Sequence, residues 1–134
     1  MKQRTSVLLQ VIVALSFSVL FNIDSAIAQE KVVGPKVEAP KKGEPLRMPL
    51  IENESVGVIE VTFRPGDISS SRARPGRVIH FHTTGQLLVT FPDGKTELRK
   101  FKAGETVWRN AETTAVKNTG KGPVRLLQVV AKSK

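Results

Sequence analysis

From Val56 onward, apolar residues come in short runs separated by turn residues. Val56 to Phe63 alternates, with Ile59, Val61 and Phe63 on one face, which is the period of a half-buried strand. Arg64-Pro65-Gly66-Asp67 closes that run as a turn, and Ser69 to Gly76 reads as a polar loop. Further strands are predicted over 77–83, 86–91, 96–101, 106–109, 113–118 and 124–131. Pro92-Asp93-Gly94-Lys95 is a hairpin signal between two of them. Nowhere in this region do apolar residues recur with a 3.6-residue period over helical length. Many short strands divided by Gly and Pro turns predict an all-β sandwich or barrel.

The pattern before Val56 is different. Met1-Lys2-Gln3-Arg4 is a short basic start, and Val11 to Phe21 is apolar except for Ser16 and Ser18. Ala26-Ile27-Ala28 then reads as a small-x-small cleavage site. This is the layout of a secretory signal peptide over residues 1–28, cut after Ala28, and the apolar run is short of the ~20 residues of a spanning helix. The alternative is a leader retained as an anchor. Gln29 to Pro49 carries Pro35, Pro40, Pro45 and Pro49 among Lys, Glu and Gly, and is predicted to be a disordered linker or arm. The folded domain is then expected over residues 50–134, in a periplasmic or secreted protein.

Composition changes this picture at two points. The chain has no cysteine, so stability comes from the core or from oligomerisation, and a homodimer is expected for so small a core. The formal net charge is +9. Nucleic acid is not the expected partner: an exported protein rarely meets it, and the chain offers no Tyr and one Trp for stacking bases. An anionic envelope surface or an acidic small ligand suits the charge better.

The two histidines lie in His80-Phe81-His82. Alternate residues of a strand share a face, so both rings can aim at one point. Gly76, His80, His82, Gln86 and Gly94, followed by Gly104, Thr114 and Asn118, resemble the two motifs of the cupin superfamily, a small β-barrel fold. Asn118-Thr119-Gly120 and the run from Pro123 to Val130 fit the usual ending of that barrel. The resemblance covers about residues 56–131 and implies a cupin-like β-barrel of jelly-roll type. It departs from the family pattern where Gln86 replaces an acid and Thr114 replaces a histidine.

In cupins that bind metal, two His, one Glu and a third His hold Fe, Mn, Ni or Zn. Here the resemblance offers His80, His82 and Gln86 as metal ligands, an incomplete set, because a neutral amide adds no charge. Glu112, two residues before Thr114, could supply a carboxylate if both share a face. The predicted ligand pocket is His80, His82, Gln86, Leu88, Thr114 and Val116, a mixed wall of the kind small ligands use. Arg72, Arg74 and Arg77 form a candidate anion site, since guanidinium groups suit carboxylates and phosphates. Trp108 is expected as a core anchor, and Arg99, Lys100 and Lys102 as charges guarding strand edges.

A thiol nucleophile is excluded, and a Ser-His-Asp set has no evident partners with both histidines on one strand. The expected function is a non-catalytic binding module for a small ligand or an envelope protein. The alternative is a metal-dependent oxygenase or isomerase using His80 and His82.

Overall fold

The computed structural model describes residues 38–133. Among these residues the alternation resolves into nine strands and no helix: β1 (Leu46–Glu52), β2 (Val56–Phe63), β3 (Ile68–Arg74), β4 (Arg77–Phe81), β5 (Gly85–Thr90), β6 (Thr96–Phe101), β7 (Thr106–Arg109), β8 (Glu112–Lys117) and β9 (Val124–Ala131). They form two antiparallel sheets, ordered β1-β2-β9-β4-β7 and β3-β8-β5-β6. Each sheet gives one apolar face to a single core. Val61, Phe63, Ile79, Phe81, Val124 and Leu126 come from the first sheet, and Leu87, Val89, Phe101 and Val116 from the second. Phe81 and Phe101 stack across the gap, with ring centroids 3.8 Å apart and planes 10° from parallel.

The turns read from the sequence hold the strands in register. Gly94 takes a φ of 84° in the β5–β6 hairpin, a conformation that strains residues carrying a Cβ. Its N–H donates to the Phe91 carbonyl at 2.9 Å, and the Phe91 N–H donates to Lys95 at 2.9 Å. Asn118 does more than end β8. Its Nδ2 donates to the carbonyls of Phe63 and Gly122 at 3.1 and 2.9 Å, and its Oδ1 accepts from the Gly120 N–H at 2.9 Å. One buried amide thus ties the end of β2 to the loop before β9.

Two boundaries differ from the sequence reading. The segment 69–76, read as a loop, is mostly strand β3. Only Ser69 and Arg74 of its residues are buried, and both are polar, so no apolar alternation announces the strand. The arm, read as reaching Pro49, ends earlier, because β1 begins at Leu46. Pro49 is tolerated there because β1 is an edge strand paired only with β2, and the register shifts just after Pro49. The predicted signal peptide and residues 29–37 of the arm lie outside the described residues.

Candidate functional site

The phase of β4 decides what lies inside the barrel. Arg77, Ile79 and Phe81 are buried, while Val78 and His80 take the opposite face. A His80 ring nitrogen shares a 2.7 Å hydrogen bond with Thr106 Oγ1 on neighbouring β7. His82, one residue beyond β4, is exposed. The two rings remain neighbours, 5.3 Å between centroids and 76° between planes, but on the outer side. This corrects the expectation that they point into the barrel. The reason is energetic: burying Ile79 and Phe81 contributes about 1.5–3 kcal/mol each, whereas imidazoles placed inside need polar partners.

The other predicted pocket residues divide the same way. Thr114 and Val116 do face inward, at 0% and 9% exposure. Gln86 and Leu88 alternate with the buried Leu87 and Val89 of β5 and take the other face. Gln86 Nε2 donates to Thr119 Oγ1 at 3.2 Å. The six residues do not form one pocket, and among the described residues no group of three His, Cys, Asp or Glu could hold a metal ion. Gln86 instead borders an open cleft of about 740 Å³, lined also by Lys100, Lys102, Lys121, Glu105 and Phe101. Trp108, expected in the core, is 59% exposed. It sits on the outer side of edge strand β7 opposite Val78, with its indole N–H donated to Asn110 Oδ1 at 2.8 Å.

What occupies the polar part of the interior is a set of arginines. Arg74, Arg77, Arg99 and Arg109 line a cavity of about 40 Å³, together with Gln128 and an apolar wall that includes Phe63, Ile79, Leu87 and Leu126. Glu112 shares the inward side of β8 with Thr114, as the spacing allows, but it meets guanidinium groups and not imidazoles. Its Oε1 accepts from Arg77 Nη2 at 2.9 Å and from Arg99 Nη1 at 3.0 Å, and its Oε2 accepts from Arg99 Nη2 at 3.0 Å. Arg99 Nη2 also donates to Glu97 at 3.0 Å, so Arg99 is an interior residue and not an edge guard. Arg74 Nε donates to Thr114 Oγ1 at 3.2 Å. The Nε groups of Arg77 and Arg99 are buried and meet no acceptor.

Charge in this cluster is unbalanced. Burial, followed by the like charges of Arg72 and Arg77, pushes Arg74 down to about 10. Hydrogen bonds from Arg99 hold the Glu112 carboxyl down to about 2, against the opposing effect of burial and with further help from Arg77. A glutamate in the unfolded chain titrates near its ordinary 4.5. The stabilisation is therefore complete above that pH and is lost as pH falls toward 2. Acid unfolding followed by circular dichroism should show roughly 2 kcal/mol lost over that window, after allowance for solvent screening. Glu112→Gln should abolish that part of the profile.

The sequence reading of Arg72, Arg74 and Arg77 as one anion site is only partly reproduced. Arg74 and Arg77 line the cavity, but Arg72 is exposed. Arg99, Arg109 and Glu112 complete the cluster and were not in that reading. For Arg99 the signal was the alternation Glu97, Arg99, Phe101, in which the inward side ends on an obvious core residue.

No family model matches the sequence, and no curated protein does. Solved structures do. A cupin domain protein from Bordetella pertussis Tohama I superposes with a TM-score of 0.63 at 24% identity, over 71% of this chain and 100% of its own. The domain has the cupin fold. A protein with a double-stranded β-helix domain from Klebsiella pneumoniae matches with a TM-score of 0.56 at 22% identity, over 71% of this chain and 83% of its own. Oxalate decarboxylase matches at 0.50 and 16%, over 69% of this chain and 26% of its own.

Many cupins hold a transition metal inside the barrel, and the interior of this one does not fit such an ion. The groups there are guanidinium donors, which repel a divalent cation, and one carboxylate already bound by two of them. The same donors suit an anion.

Proposed function

We propose that this cupin domain is a binding module for a small acidic ligand, carried by an exported protein. The carboxylate of the ligand lies against Arg77, Arg99 and Arg109 inside the barrel, and its short apolar body against the core wall. The observation that carries this reading is the pair of buried Nε groups on Arg77 and Arg99 without an acceptor. A buried donor left unpaired costs about 1–3 kcal/mol, and a carboxylate removes that cost while offsetting the charge excess. The small cavity limits the ligand to a few heavy atoms, since drug-sized ligands take ~300 Å³ or more.

Arg109 lines the cavity, and no ion pair among the described residues involves it. Arg109→Gln should therefore leave the fold intact. By calorimetry, acetate and propionate are expected to bind the intact protein saturably, acetamide is not, and Arg109→Gln should weaken binding by about 10-fold or more. Equal heats for acetate and acetamide would overturn the proposal. So would purified protein that retained stoichiometric Fe, Mn, Ni or Zn and lost it on His80→Ala, which would favour a metal-dependent enzyme using the outer imidazole pair.

A further inference from the structure

A second cluster of guanidinium groups gathers at Ser69 of β3 and shares Arg74 with the first. Arg47 Nη2, Arg74 Nη2 and Arg72 Nη2 approach Ser69 Oγ at 2.8, 2.9 and 3.3 Å. Ser69 is 4% exposed and Arg74 is 7% exposed. A hydroxyl oxygen has two lone pairs, so it cannot answer three donors fully, and the longest of the three contacts is Arg72's. None of the ion pairs among the described residues involves any of these three arginines. Burial lowers the Arg72 pKa more than Glu44 raises it, and Glu112 only partly offsets the lowering at Arg74. Three cations thus converge on one neutral oxygen that cannot balance them.

The cluster is reachable at its exposed member, Arg72. Arg47 also lines a cleft of about 400 Å³ bounded by Lys41, Glu44, Pro45, Pro49 and Ile59. A carboxylate has two oxygens to offer, whereas a tetrahedral oxyanion offers enough to meet three guanidinium forks from different directions. We infer that Arg47, Arg72 and Arg74, gathered at Ser69, form a site for a tetrahedral oxyanion, either inorganic phosphate or a phosphomonoester, entering from the Arg47 cleft. Glu38 and Glu44 in the wall of that cleft disfavour an extended polyanion and favour a single phosphate group.

The site shares Arg74 with the acid pocket, but neither Arg47 nor Arg72 lines the interior cavity, so these two report on the phosphate site alone. The test uses the intact protein with inorganic phosphate and, in a second arm, glycerol phosphate, at fixed ionic strength. Saturable binding of phosphate by calorimetry is expected, with affinity reduced at least tenfold in Arg72→Ala and in Arg47→Ala. Acetate binding should be unchanged in both variants, and Arg109→Gln should leave phosphate binding unchanged. Arg72 is exposed on an edge strand, so its replacement leaves folding intact. Tighter binding of glycerol phosphate than of phosphate would assign the site to phosphomonoesters, and the reverse order to the free ion. Phosphate heats that are not saturable, or that persist undiminished in the Arg47→Ala, Arg72→Ala double variant, would overturn the inference.

Discussion

Glu112→Gln is expected to destabilise the domain by roughly 3 kcal/mol and, at the same time, to tighten anion binding. The two effects have opposite signs because the carboxylate plays two roles. It is the one acid that answers both Arg77 and Arg99, so its loss leaves the buried Arg77 with no counter-charge and Arg99 with only the half-exposed Glu97. The cost falls at the lower end for a broken buried pair because the Glu112 side chain keeps 15% exposure. Glu112 also competes with any anion for the same donors, and the amide that replaces it competes poorly. Urea unfolding with and without acetate measures both effects. The variant should lose stability in plain buffer and recover more of it on adding acetate than the parent gains, following the logarithmic dependence on ligand concentration. A variant that lost stability but responded to acetate no better than the parent would show that Glu112 and the ligand do not share donors.

Phe101→Ala is expected to cost about 3–5 kcal/mol. The ring is 5% exposed, stacks on Phe81 and meets Val124 and Phe101's own neighbour Gly85 at the end of the barrel. A Cβ placed on Gly85 would lie 3.4 Å from the Phe101 ring and 3.0 Å from Val124, so the backbone there already packs closely and cannot collapse far into the gap. The ring also stands between two spaces, since it lines both the interior cavity and the lysine-lined cleft. Truncation should join them. Chemical denaturation reads the stability loss, and faster acetate dissociation in stopped flow reads the opening. A loss well below 2 kcal/mol would mean that the end of the barrel closes over the missing ring.

The strands were legible because alternation is a local signal. The runs at Val56 to Phe63, Thr96 to Phe101 and Val124 to Ala131 appear where the sequence predicts them. The face of each strand was harder to read. In β4, apolar and polar residues fall on both sides: Arg77 stands inward with Ile79 and Phe81, and Val78 outward with His80. Shifting the phase by one residue exchanges every side chain, and the pairing of His80 with His82 argued for the wrong one. Weighing apolar burial against the motif would have chosen Ile79 and Phe81. Thr114 and Val116 face inward as read, because the alternation of β8 is unambiguous. The arginine cluster escaped because its members come from β3, β4, β6 and β7. Only the sheet order brings them together, and no spacing along the chain records it.

The position of β9 carries a consequence for synthesis. It lies between β2 and β4 in the middle of its sheet, yet it follows all the other strands in chain order. β2 can pair early with β1, but Val61 and Phe63 must wait for Leu126 and Val124 before the other edge of β2 is covered. Such distant partners make for slow folding, and the five-stranded sheet stays incomplete until β9 has been made. A sheet that closes last leaves the chain open for longer, the state that the proposed export would use.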